Sequence, residues 1–210
     1  MVTCKFFWFL LFACVCFVFS GSYIAHAQVN ILKNADFEDA TDVPWTMWVE
    51  DTTATATKSL DKTEKLTGSQ SLLINISKAG TGKRVELHQN PFTLKNGQKL
   101  TFAFWAKVEK GLTRPANMIS NMRADPWTSY GSKAINITDS WTEFTTPATM
   151  TADSDKVGIY VELKDTVGKV WLDHFRFYVG DYVKENLVSP AAVNPHSKVT
   201  SIWSAIKSGF

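Results

Sequence analysis

Two short polar ladders hold the residues best suited to chemistry. In Arg84-Val85-Glu86-Leu87-His88 the charged side chains alternate with aliphatic ones. Side chains alternate faces along a strand, so Arg84, Glu86 and His88 share one side. In Ile159-Tyr160-Val161-Glu162-Leu163 the same period puts Tyr160 beside Glu162. Guanidinium, carboxylate, imidazole and phenol all pair with hydroxyl groups in fixed geometry. Asn121 and Arg123 precede a loop-like stretch, Ala124 to Gly131, in which Trp127 and Tyr130 offer flat rings for stacking. The set suits a cleft for a hydroxyl-rich ligand. The competing reading is a solvated sheet face with Arg84–Glu86 and Lys164–Glu162 charge pairs of little energetic value.

A second candidate lies in the last strong strand, Lys169 to Val179. Strict alternation puts Trp171, Asp173, Phe175 and Phe177 on one face, and that face is large and aromatic. Leu172, His174, Arg176 and Tyr178 take the other. A carboxylate among aromatic side chains needs donors or a cation, or it takes up a proton. Asp173 is thus either a hydrogen-bonded aspartate or a metal ligand.

The elements that must position these residues read as short strands. Gln28–Glu38, Thr46–Asp51, Thr53–Leu60, Ser71–Ser77, Arg84–His88, Lys99–Val108, Met118–Arg123, Ala134–Ile137, Trp141–Thr146, Lys156–Leu163 and Lys169–Val179 are extended, apolar or alternating runs. Turn signals such as Lys78-Ala79-Gly80-Thr81-Gly82, Lys95-Asn96-Gly97 and Asp165-Thr166-Val167-Gly168 separate them. No helical period runs through this region. The expectation is an all-β fold, a jelly-roll β-sandwich of two antiparallel sheets over residues 28–180. Residues 181–210 read as a linker, Glu185 to Pro195, and a short helix capped by Ser197 with Val199, Ile202, Trp203 and Ile206 on one face. That stripe suits docking on its own domain or on a protein partner.

Residues 1–27 read as a secretion leader: Lys5, an apolar run from Phe6 to Phe19, and Ala25-His26-Ala27 as a cleavage site. The run is too short for a membrane span. The expected location is secreted, periplasmic or cell-surface. All three cysteines (Cys4, Cys14, Cys16) fall inside the leader, so the mature chain has to rely on its core, with or without a metal. A formal charge of +2, of which Lys5 leaves with the leader, gives no reason to expect nucleic acid or an anionic membrane as partner. Of the eight tryptophans only Trp8 is lost with the leader, and exposed flat rings suit the C–H faces of sugars.

Asn34-Ala35-Asp36-Phe37-Glu38 resembles the N-x-x-F-E opening of CenC-type carbohydrate-binding modules, the group of families four, nine and twenty-two. Gly68-Ser69-Gln70-Ser71-Leu72, Phe104-Trp105-Ala106-Lys107, Trp141-Thr142-Glu143-Phe144 and Trp171-Leu172-Asp173-His174 match further pieces in order, from about Val29 to Val179. The resemblance implies a galactose-binding-like jelly roll that holds a polysaccharide or oligosaccharide on a concave face. It also implies a structural calcium with side chains of Glu38 and Asp173 and carbonyls of Asp36, Thr67 and Gln70 as ligands. Oxygen donors without cysteine suit calcium rather than zinc. A Tyr-x-Glu such as Tyr160-Val161-Glu162 resembles the ligand-contacting pair of xylan-binding members. Those members place a tryptophan just before the Glu86 strand, where this chain has Lys83 and Arg84.

The expected function is non-catalytic carbohydrate binding, and residues 181–210 are too few for an attached catalytic domain. The rival readings are a jelly-roll polysaccharide lyase or glycoside hydrolase, or an adhesive domain with no sugar site. Arg84-Val85-Glu86-Leu87-His88 loosely resembles the R-x-E-L-R strand of alginate lyases, but their Q-I-H strand and late tyrosine motif are missing. The E-x-D-x-x-E strand of laminarinase-type hydrolases is missing too. Asn75-Ile76-Ser77 and Asn136-Ile137-Thr138 fit the glycosylation acceptor pattern and carry no further role.

Overall fold

Each apolar or alternating run after Trp45 becomes a strand in the computed structural model, which describes residues 28–185 and 187. In chain order these are β1 (Thr46–Val49), β2 (Thr55–Asp61), β3 (Ser71–Lys78), β4 (Arg84–Leu94), β5 (Lys99–Val108), β6 (Arg114–Met122), β7 (Ser129–Ile137), β8 (Thr142–Thr149), β9 (Ser154–Lys164) and β10 (Gly168–Val179). One five-stranded sheet has the order β1-β4-β9-β6-β7 and the other β2-β3-β10-β5-β8, with every pairing antiparallel. This is the sandwich of a jelly roll. Among the described residues there is no helix. The leader expected over residues 1–27 and the helix expected after Ser197 lie outside the described residues.

Alternation builds the core. β4 sends Val85 and Leu87 inward, and β9 sends Val157, Ile159, Val161 and Leu163. The opposing sheet answers with Leu72, Ile74 and Ile76 from β3 and Leu100, Phe102 and Phe104 from β5. Each such side chain contributes about 1.5–3 kcal/mol when fully buried. With these inward positions fixed, Arg84, Glu86, His88, Tyr160 and Glu162 must point out of the first sheet.

β10 departs from strict alternation. Its pairing with β5 shifts register between Asp173 and Arg176, and His174 sits there at φ 51°. The extra residue is a β-bulge, which flips the faces of all that follows. Val170 and Leu172 face the core before it, Phe175 and Phe177 after it. Trp171 therefore does not share the core face with Phe175. Its indole lies on the outer side, donating to Asp61 Oδ2 at 2.8 Å beneath Lys107. Asp173 is fully buried, but not on the aromatic core face.

The stretch Gln28–Glu38, expected as a first strand, is not one. Asn34 (φ 45°) and Phe37 (φ 56°) turn left-handed and break any extended run. The segment still follows β10, with Ile31 N–H on Phe177 O at 2.8 Å and Phe175 N–H on Ala35 O at 2.9 Å. Between them the Asn30 side chain takes the place of backbone, donating to Phe175 O and accepting from Phe177 N–H. The break swings Phe37 into the core against Trp45 and Phe175.

Candidate functional site

Registry across the first sheet assembles the site. Trp48 on β1 pairs with Glu86 on β4, Glu86 with Glu162 on β9, and Glu162 with Asn117 on β6. The next row runs His88, Tyr160, Ile119. A cleft of about 550 Å³ lies over these rows, lined by Trp48, Arg84, Glu86, Asn121, Arg123, Trp127 and Tyr160.

Glu86 is the floor. It is only 1% exposed, yet it carries charge because Arg123 Nη2 donates to its Oε1 at 2.6 Å. His88 Nδ1 lies 2.9 Å from the same oxygen but without hydrogen-bond alignment. Burial pushes the Glu86 carboxyl up; His88 and the Arg123 guanidinium outweigh it and hold it below its ordinary value. Burial also raises the Tyr160 phenol, and the Glu86 charge adds to that.

Arg123 can reach Glu86 because β9 has a gap at Gly158. A Cβ there would stand 2.6 Å from Arg123 Cγ. The guanidinium passes over that gap and lies 4.8 Å from the centre of the Tyr160 ring. Arg84 is held by three neighbours. Its Nε donates to Glu50 Oε2 at 3.0 Å, its Nη1 lies 3.7 Å from Glu162 Oε2, and it covers the Trp48 ring at 5.1 Å. Asn117 Nδ2 donates to Glu162 Oε1 at 3.2 Å. The Arg84–Glu86 and Lys164–Glu162 pairs of the solvated-face reading are replaced by Arg84–Glu162 and Arg123–Glu86.

Two indoles border this polar floor. Trp127, at φ 59° in the β6–β7 turn, is 57% exposed, and Trp48 is 43% exposed. They stand on either side of β4 and β9, Trp48 on β1 and Trp127 in the turn that follows β6. A half-exposed tryptophan forgoes burial, and two of them beside ordered polar groups make a surface ready to stack a flat apolar face.

Arg84, Glu86, Asn121, Arg123, Trp127 and Tyr160 therefore line one cleft, and His88 and Glu162 adjoin it through their contacts. Tyr130 does not. It is 7% exposed and packs in the core, its hydroxyl buried without a partner, so it is no stacking platform. Sequence reading missed Trp48, Glu50 and Asn117. Trp48 had a signal: it alternates with Met47 and Val49, which pack on the core.

The residues expected to hold calcium gather at the β2–β3 turn. Glu38 accepts from Ser69 N–H at 2.9 Å, Ser69 Oγ at 2.6 Å and Gln70 N–H at 3.2 Å. Asp173 accepts from Leu66 N–H at 2.9 Å, Thr67 N–H at 3.3 Å and His174 N–H at 2.7 Å. Burial drives the Asp173 carboxyl up to about 6 against those donors, and the Asp36 charge adds to the rise. For Glu38, burial is outweighed by the Ser69 and Gln70 donors, and its carboxyl lies below the ordinary value. Among the described residues no three acidic or histidine side chains form a metal cage. An ion here would need backbone carbonyls as well, and the all-oxygen donor set fits a hard cation.

The family model for a carbohydrate binding domain matches residues 29–168. No curated protein sequence matches the chain. Among solved structures, a family 4 carbohydrate-binding module superposes with TM-score 0.55 at 22% identity, covering 70% of this chain and 99% of the other. The CBM22-1 xylan-binding domain of Paenibacillus barcinonensis Xyn10C gives TM-score 0.56 at 15% identity, covering 76% and 99%. The C-terminal family 22 module of Clostridium thermocellum Xyn10B gives 0.53 at 18%, covering 72% and 94%. These likenesses concern the fold; the family-model match runs through β9 and the cleft and ends at the first residue of β10. The chain belongs to the carbohydrate-binding domain family.

Proposed function

We propose that this protein is a non-catalytic binder that holds a polysaccharide chain in the cleft between Trp48 and Trp127. The observation that carries the reading is the pair of half-exposed indoles flanking a buried, charge-paired floor. Stacking supplies affinity along the chain, while Glu86, Arg84, Tyr160 and Asn121 supply hydroxyl contacts. Each such contact replaces one with water, so single-site affinity is modest.

The state of Glu86 supports binding over hydrolysis. A glycosidase needs one carboxyl kept protonated as general acid. Glu86 is held the other way by Arg123. Export through the N-terminal leader, and a calcium held by Glu38, Asp173 and the carbonyls of Asp36, Thr67 and Gln70, belong to the same proposal.

Titration with soluble glycans, followed by tryptophan fluorescence, tests it. A bound chain should change the emission, and Trp127→Ala and Trp48→Ala should each weaken affinity at least tenfold, about 1.4 kcal/mol. Among the described residues no cation lies over Trp127, so Trp127→Ala should move stability by no more than about 0.5 kcal/mol, whereas Trp48→Ala also removes the ring under Arg84 and should cost about 0.5–1 kcal/mol more. Silence toward every glycan would favour an adhesive domain. Release of reducing ends, or of unsaturated ends from uronate polymers, would establish an enzyme.

A further inference from the structure

The chain enters the sandwich at its surface. Gln28 and Val29 are exposed, Val29 at 81%, and the backbone is first tied to β10 at Ile31, whose N–H donates to Phe177 O. Ahead of that tie the Gln28 side chain makes a contact of its own. Its Nε2 donates to Asp181 O at 3.1 Å, just past the end of β10. A Cβ on Gly180 would stand 2.8 Å from that nitrogen, so the amide lies close against the backbone there.

The place of Gln28 in the sequence gives that amide a chemistry. It follows Ala25-His26-Ala27, the site at which the leader is expected to be cut. Cleavage there makes Gln28 the first residue and frees its α-amine. Amine and side-chain amide then belong to one residue and can close an unstrained lactam ring. Such a reaction carries no entropic cost of bringing two molecules together. With Gln28 and Val29 both exposed, the amine opens to solvent. The hydrogen bond to Asp181 O joins exposed groups and holds the amide only weakly against ring closure.

We infer that Gln28 is a modification site: once the leader is removed, its side chain and α-amine condense to pyroglutamate. The inference rests on the proposed export through the leader. The amine nitrogen attacks Cδ, and the N–Cδ bond forms as the Cδ–Nε2 bond breaks. The proton given up by the amine goes to Nε2, which departs as ammonia, so no co-reactant is needed. The departing nitrogen is the one bonded to Asp181 O, and the same step therefore unlatches the chain start from the segment after β10. That segment keeps its other ties. Arg176 Nη1 donates to Val183 O at 3.0 Å, Val183 N–H to Tyr178 Oη at 3.1 Å, and Tyr182 Oη to Glu143 Oε2 at 2.7 Å. The chain start stays on β10 through Asn30 and Ile31. The product has no basic amine for an aminopeptidase to hold, which protects a chain whose first residues are exposed.

The full chain is expressed with its leader, and the secreted protein is measured by intact-mass spectrometry and sequencing of its first peptide. The expected product begins at residue 28 and weighs one ammonia less than residues 28–210. Protein isolated with Gln28 still open should lose ammonia on standing at about pH 8, where much of the α-amine is unprotonated. Gln28→Ser cannot close the ring and should keep its mass. An aminopeptidase should shorten that variant and leave the cyclised wild type intact. A chain that begins at any other residue overturns the expected cleavage and the modification with it. A chain that begins at Gln28 and keeps its ammonia through the incubation overturns the modification alone. Equal trimming of the cyclised protein and Gln28→Ser overturns the protective role.

Discussion

Glu86 and Glu162 stand directly opposite each other on β4 and β9, on the same face of one sheet. Like charges in that relation repel. The sheet offsets the repulsion with two arginines that come from different directions. Arg123 arrives over β9 from beyond β6 and takes Glu86, while Arg84 lies along β4 and reaches Glu162. The result is a floor of alternating charge whose members are fixed before any ligand arrives, which lowers the ordering cost of binding.

Glu86→Gln should lower both affinity and stability. Removing the charge leaves Arg123 without its partner in a partly desolvated position. The expected loss is about 1–3 kcal/mol in urea unfolding, together with loss of measurable glycan binding. Unchanged stability would mean that the Arg123 contact is idle.

Gly158→Ala should reproduce the binding defect from a residue outside the cleft lining. The added Cβ would meet Arg123 Cγ and the Asn90 Cβ, at 2.6 and 2.9 Å. Arg123 must then leave the Tyr160 ring and Glu86. Affinity measured by isothermal titration should fall as far as in Glu86→Gln; wild-type affinity would show that Arg123 does not need the gap.

Tyr130→Phe should stabilise the fold by about 1 kcal/mol, because it removes a buried hydroxyl with no partner. Glycan affinity should not change. A weaker affinity in this variant would return Tyr130 to the binding site.

Asp173 gives a pH dependence with a definite sign. Its carboxyl titrates at about 6 in the folded chain and near 3.8 when unfolded. Between those values the folded chain holds the extra proton. The contribution of Asp173 is therefore most favourable below about pH 4 and is lost as pH rises to about 6. With chelator present, the melting temperature of wild type relative to Asp173→Asn should fall across that window. Calcium should restore it if Glu38 and Asp173 bind the ion, because a ligand of the folded state stabilises by mass action. No restoration would exclude calcium at that turn.

The strands were legible where apolar residues recur without interruption. Lys99–Val108 is legible to the residue, because a largely apolar run of ten residues rich in aromatic side chains, opened by the Lys95-Asn96-Gly97 turn, reads as a buried strand. β10 was legible in extent but not in facing, since a single-residue bulge at His174 leaves no mark on a period-two count. Alternation alone puts Arg84, Glu86 and His88 on one face of β4 and Tyr160 and Glu162 on one face of β9, but the pairing of the two strands comes from the sheet order. That Glu86 is buried could not be read, because its partner comes from the far end of β6 across a glycine. Tyr130 looked like a loop ring from its closeness to Trp127; the chain re-enters β7 at Ser129, and the next residue already points into the core. Trp48 is legible as the outward residue between Met47 and Val49, but its place beside Glu86 follows only from the pairing of β1 with β4.

The bulge at His174 also sets what kind of change this chain tolerates. Substitutions within β10 act one side chain at a time. Deleting His174 would restore simple alternation and turn Phe175 and Phe177 outward together, bringing Arg176 and Tyr178 into the core. Descent with variation can therefore freely rewrite the letters of this strand more easily than its length. Among homologous chains, insertions and deletions should gather in the turns and spare the interval from Asp173 to Arg176.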